Sequence, residues 1–234
     1  MRVHLVTAHP EPRSFCAAMA RRAAAALEGD GHAVEVSDLY AMGWNPVTSA
    51  ADFGERRDPD YLNYSLEQRH GWETGTIAPD VRAELERLLR ADLLLLVFPV
   101  FWFSVPAIMK GWIDRVLVSG ATYGGRRFYD RGPLRGKRAA VAFSLGGREH
   151  MFGEGAVHGH LQDMLRPLLR GTLQYTGMDV LPPFAAWHVP YVDDAARRAY
   201  LGQLEAWVLG LALAEPLPAP SLDGYDGAMR PKAP

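Results

Sequence analysis

Cysteine is almost absent from this 234-residue chain: Cys16 stands alone, which excludes an internal disulfide and any metal site built from several thiolates. No block of Lys and Arg occurs, and 25 basic against 27 acidic residues leave a formal net charge of -2. The electrostatic footprint of a nucleic-acid binder is therefore missing. No apolar run approaches the roughly 20 residues that cross a bilayer, and the first residues pass straight into a strand-like segment without the apolar core of a secretory signal. The expectation is a cytoplasmic protein with no stable membrane insertion, a setting in which a single reduced cysteine is ordinary. Gly-x-Gly-x-x-Gly, P-loop and His-Glu-x-x-His spacings are missing too. His4, His32, His70, His150 and His160 accordingly read as packing or surface residues, and no metal is expected.

What is present is an alternation of strand-like and helix-like segments. Val3–Thr7, Ala33–Val36, Leu93–Phe98, Arg138–Ser144 and Asp179–Phe184 read as strands. Helices are expected over Ser14–Leu27, with Ser14 as N-cap, and over Pro79–Arg90, His158–Tyr175 and Asp194–Leu213, with a further helix entered at Pro106. Two long excursions, Tyr40–Ala78 and Ala121–Gly136, show little regular pattern. Five strands alternating with helices predict an α/β fold, a doubly wound parallel sheet of order 2-1-3-4-5 with helices on both faces. Residues 1–214 form that domain, and Pro216, Pro218 and Pro220 mark residues 215–234 as an extended tail.

In such a sheet the loops after strands one, three and four converge at one edge, where open α/β folds bind ligands. The run Leu93–Phe98 is uniformly apolar, as a central strand covered on both faces requires. Pro99 ends it, and Val100, Phe101, Trp102, Phe103, Ser104 and Val105 form a stiff aromatic loop before Pro106. The first loop, Ala8 to Phe15, runs into a helix start that favours an anion. The third, Ser144-Leu145-Gly146-Gly147, brings backbone close to a flat ligand. Each signal alone is equally compatible with core packing, a helix cap or a plain turn.

Taken together these loops resemble the NAD(P)H:quinone oxidoreductase (DT-diaphorase) family of flavodoxin-like proteins. The resemblance covers Ala8-His9-Pro10-Glu11-Pro12-Arg13-Ser14-Phe15, Ser37–Met42 followed by Asn45-Pro46, and Phe98 to Arg115. It continues through Tyr129–Pro133, Leu145-Gly146-Gly147 and Val157-His158-Gly159, and reaches to about Pro220. It implies a bound flavin, FAD or alternatively FMN, with NAD(P)H as co-substrate. His9, Arg13, Ser14, Phe15, Cys16 and Ala18 would surround the flavin phosphates, and Arg197 its adenylate end. Backbone from Pro99 through Val100, Phe101 and Trp102 to Phe103 would meet one edge of the ring, and Ser144, Leu145, Gly146, Gly147 and Phe152 the other. Trp102, Phe103, Tyr123, Gly146 and His158 would receive the substrate, a small quinone, with His158 catalytic. Hydride would pass from NAD(P)H through flavin to quinone in ping-pong order. A homodimer with shared sites is implied, and the long Tyr40–Ala78 excursion suits one, since it is hard to pack on one small sheet.

Departures from the family pattern matter as well. Phe152 stands where the family commonly has Tyr beside the active-site His, and a phenyl ring neither donates nor accepts a proton. Gly125 replaces a second substrate-facing Tyr, with Arg126 and Arg127 added. Asp114 has two readings, a contact at the flavin end or a surface partner for Lys110 or Arg115. Other functions remain in play: an FMN-dependent azo- or nitro-reductase, an ancillary regulatory flavoprotein of a membrane transporter, and an electron-carrying flavodoxin.

Overall fold

Not one residue of the strand Leu93–Pro99 is exposed, as an apolar run without polar alternation demands. The computed structural model describes residues 1–232. Its strands are β1 (Arg2–Thr7), β2 (Ala33–Asp38), β3 (Leu93–Pro99), β4 (Arg138–Ser144), β5 (Asp179–Val180) and β6 (Phe184–Ala186). All pair in parallel in the order β2-β1-β3-β4-β5, with β6 also on β4. The expected order is thus observed, and the single expected last strand is divided in two. Pro182 and Pro183 explain the break, because proline cannot donate to the ladder.

Helices α1 (Phe15–Gly29) and α6 (Asp194–Gly210) cover one face. α3 (Pro79–Arg90), α4 (Ala107–Val116) and α5 (Leu161–Leu168) cover the other. Ser14 caps α1, its hydroxyl accepting from the Ala17 N–H at 3.1 Å. Three expectations are corrected. The Tyr40–Ala78 excursion contains a helix, α2 (Tyr64–Thr74), capped by Asn63. The helix expected from His158 begins only at Leu161, because Gly159 holds φ +68, a left-handed conformation outside any right-handed helix. After Pro167, which supplies no N–H to the ladder, α5 widens into a π-helical turn over Leu169–Leu173. The tail is also less extended than its prolines suggest. Asp130 accepts from the Ser221 hydroxyl and the Leu222 N–H, burying Leu222, and Tyr225 pairs with Pro231.

Two buried ionic groups fasten the layers. Arg115, only 4% exposed, donates to Asp52 and Asp80 at 2.8 Å each and to the Asn45 carbonyl at 2.9 Å, with its guanidinium over Trp44. This holds the 40–80 excursion against α4. Asp114 meanwhile pairs with Lys110 at 2.6 Å on the exposed side of α4, so the surface reading of Asp114 is the one the geometry supports.

Glu84 on α3 is fully buried and receives the Ser37 hydroxyl at 3.0 Å, the Trp112 indole N–H at 2.8 Å, the His4 ring at 3.4 Å and the Arg87 guanidinium. Burial by itself would raise its pKa; the bonds from His4, Trp112 and Ser37 outweigh burial and hold it at about 2. The charged form therefore stabilises the fold above the ordinary Glu range, and that stabilisation fades as pH falls through about 2. Glu84→Gln is expected to lose about 3 kcal/mol at neutral pH, at about 1.36 kcal/mol per pKa unit. In urea titrations the difference from wild type should shrink steadily below about pH 4.5; a difference independent of pH would contradict this account.

Candidate active site

At the carboxyl edge of the sheet, the end of β4 is held from both sides. The Val100 N–H donates to the Ser144 carbonyl at 2.8 Å, which fixes the loop after β3. Leu145 N–H donates to Ala186 at 3.1 Å, and His188 N–H to Gly147 at 2.9 Å, which fixes the loop after β6. Between them lies an open cleft of about 220 Å³, whose lining includes Val100, Trp102, Phe103, Gly147, Phe152 and His158. Leu145, Gly146 and Met164 complete it.

One wall of the cleft is a continuous aromatic series. Trp187 packs on Phe152 at 5.2 Å between ring centroids, Phe152 on His158 at 5.0 Å, and His158 on Phe103 at 5.1 Å. Such tilted and edge-on contacts satisfy the ring quadrupoles. His158 is exposed on the loop before α5, so it is not a helix cap; the residue preceding α5 is His160, whose side chain makes no capping bond. Trp102 and Phe103 both hold left-handed backbone, φ +50 and +59, and Trp102 is 96% exposed. Non-glycine residues in that region cost about 1–3 kcal/mol each and cluster at functional sites.

The available hydrogen-bond donors are few. Within Pro99–Phe103, Pro99 has no N–H, and Val100 and Phe101 donate to Ser144 and Ser104. Among the described residues the N–H groups of Trp102, Phe103, Gly146 and Gly147 make no hydrogen bond. A Cβ on Gly147 would stand 3.0 Å from the Phe152 ring, so backbone and phenyl are closely packed there and a side chain would have to displace the ring. A wall of aromatic rings with two pairs of free N–H donors fits a flat ring with polar edges, as a flavin is.

The first loop offers a second group of donors. Among the described residues the Phe15 and Cys16 N–H groups have no partner at the start of α1, which has no acidic residue in its first turn, and this suits an anion. Ser14 is occupied as the cap, and Ala18 N–H donates to the Ser14 carbonyl. Arg13 is exposed and bridges Glu11 at 3.3 Å, while His9 accepts from the Glu11 N–H and lines a separate groove beside Thr7 and Asp38. Burial pushes the Cys16 thiol up to about 12, which leaves it a packing residue and not a nucleophile. Arg197 donates to the Val189 carbonyl at 3.2 and 3.3 Å and to Asp194 at 2.8 Å, thereby tying α6 to the loop after β6. Tyr123 lies outside the cleft: it reaches Gln68 on α2 and lines a hollow with Asp114 and Tyr175.

Three residues at or behind the cleft were not anticipated from the sequence: Met164 lines it, while Trp187 packs on Phe152 and His188 on the Gly146 carbonyl. Met164 follows from helical spacing once the start of α5 is known. Trp187 and His188 lie just beyond a strand end, and the Trp-His pair on a short turn was the available signal. His188 keeps φ +55 and places its ring against the Gly146 carbonyl at 2.8 Å.

A family model described as the flavodoxin-like fold matches residues 1–208. The chain is 38% identical over 207 residues to NAD(P)H dehydrogenase [quinone] 1 of Rattus norvegicus, covering 88% of this chain and 74% of the relative. It is 37% identical over 207 residues to the ribosyldihydronicotinamide dehydrogenase [quinone] of Homo sapiens, covering 88% of each. A crystal structure assigned as a quinone reductase from Klebsiella pneumoniae superposes with a TM-score of 0.95 at 34% identity, covering 99% of this chain and 94% of the other. Similarity over nearly the whole length, in sequence and in backbone, leads to one conclusion: the chain belongs to the flavodoxin-like NAD(P)H:quinone oxidoreductase family.

Proposed function

We propose that this protein is a flavin-dependent NAD(P)H:quinone oxidoreductase that removes quinones and related electrophiles. The observation that carries the reading is the cleft in which free N–H donors of Trp102, Phe103, Gly146 and Gly147 lie beside the Phe103–His158–Phe152 series. A bound flavin would accept hydride from NAD(P)H and pass it to the quinone. Phe15 and Cys16 N–H groups hold phosphate at the start of α1, and the extended molecule favoured is FAD, with Arg197 toward its adenine end. Gly146 and Gly147 hold one edge of the ring, Trp102 and Phe103 the other.

Trp102 and Phe103 then form a single stacking wall that serves nicotinamide and quinone in turn, which gives the ping-pong order. Of the residues around the wall, His158 is the one that can hold a proton for the quinone oxygen as it takes up hydride, because Phe152 has no hydroxyl. Tyr123 lies outside the cleft of its own chain, so it would join the wall only if a second copy of the chain carried it there. A homodimer would also cover exposed apolar side chains such as Val47, Tyr61 and Trp102, 63%, 69% and 96% exposed.

Three readouts on the purified protein check this. Size-exclusion chromatography should give a dimer, and the extracted cofactor should have the mass of FAD; FMN would remove Arg197 from the site. Steady-state oxidation of NADH and NADPH against a quinone panel should give parallel double-reciprocal lines. Intersecting lines, or no quinone-dependent turnover, would contradict the ping-pong reading.

His158→Gln is expected to slow transfer to quinone at least tenfold with flavin still bound, since a positioned acid contributes about 10²–10⁴-fold. Phe152→Tyr should speed it, because the ring carbon that would carry the hydroxyl lies 3.4 Å from the Cβ position of Gly147, beside the glycine edge. Rapid mixing separates the two half-reactions. Wild-type rates in His158→Gln would reduce that residue to a stacking element.

A further inference from the structure

Resting on that reading of the cleft, we infer that Arg148, His188 and the Gly146–Gly147 peptide form a hydrogen-bond chain that delivers positive charge to the flavin edge. The ring of His188 lies 2.8 Å from the Gly146 carbonyl through Nδ1 and 3.3 Å from the Arg148 guanidinium through Nε2. A carbonyl oxygen only accepts and a guanidinium only donates, so the imidazole carries its hydrogen on Nδ1 and accepts at Nε2. Every bond in the series then points the same way: Arg148 N–H to His188, His188 N–H to the Gly146 carbonyl. The next donor along is the N–H of Gly147, which belongs to the same peptide unit as that carbonyl. Amide resonance couples the two ends of the unit. Aligned hydrogen bonds polarise one another by about 10–30% each.

Several features make this more than a loop contact. The Gly147 N–H has no partner among the described residues, and Gly147 lines the cleft. His188 is anchored twice, since its own N–H also donates to the Gly147 carbonyl at 2.9 Å. Tyr191 covers its ring at 4.7 Å between centroids. Its φ of +55 is a conformation that a non-glycine residue keeps only when its surroundings impose it. Phe152 meanwhile offers no hydroxyl at this end of the cleft, so charge developing on the bound ring at the glycine edge is met by a polarised N–H. His188 is thus a positioning residue. It acts through the peptide and does not touch the ligand.

His188→Gly keeps the left-handed backbone and removes only the ring, which makes it the informative variant. In the flavin-loaded protein we expect the midpoint potential to fall by about 30 mV or more, a tenfold loss in preference for the two-electron-reduced form. Added imidazole should restore it, and Arg148→Gln should shift it in the same direction with the ring in place. Nitrogen NMR of the full chain, with and without flavin, should report hydrogen on Nδ1 of His188. An unchanged potential in His188→Gly, or hydrogen on Nε2 of the wild type, would overturn the inference. If the wild type takes up no flavin, the proposed function is what fails, and the NMR measurement still decides the direction of the hydrogen bonds.

Discussion

The 2.8 Å hydrogen bond from the Val100 N–H to the Ser144 carbonyl is the constraint on which the site depends. It extends the β3–β4 ladder one residue past the strand ends, so the aromatic loop leaves the sheet in register with the glycine loop. Because β3 and β4 are buried on both faces, that register is fixed by the core and not by the loops. The far side of β4 is held in the same way through Ala186 and His188. Free donors therefore sit on two segments that cannot move apart without breaking sheet bonds, and the cleft is formed before any ligand arrives. Preorganisation of this kind spares binding the cost of ordering its contacts.

Stability and function are separated along the chain. Two buried ionic pairs join the helix layer to what it covers: Glu84 on α3 reaches His4 on β1, and Arg115 on α4 reaches Asp52 in the excursion. The cleft carries the opposite features: exposed Trp102, left-handed Phe103 and unpaired N–H groups. Local rules are broken where a ligand is to be met and kept where the core is assembled, as expected of a natural fold with a functional site.

Most of the fold was legible because its signals are local. The uniform Leu93–Phe98 run, the Ser14 cap and the proline boundaries each follow from short-range chemistry, and strand order follows from the alternation. The parts that were not legible depend on distant partners. Arg115 looks like a helix-surface residue beside Asp114 until Asp52, 63 positions away, takes it into the core. Helix α2 has weak amphipathic patterning, and its buried face carries Glu67 and Gln68 in place of apolar residues. That Trp102, Phe103, Gly147 and His158 surround one cleft was readable from loop convergence and resemblance. His188 was not, because its role arises from a positive φ and a carbonyl contact across 42 positions.

On this reading one preformed cleft serves hydride donor and quinone in turn. Anaerobic mixing of the flavin-loaded protein with NAD(P)H, in the absence of quinone, tests it directly. The yellow absorbance should bleach completely in a single turnover, and a second mixing with quinone should restore it after the oxidised nicotinamide has left. Bleaching that requires quinone to be present from the start would mean that both substrates bind together, which contradicts a shared wall.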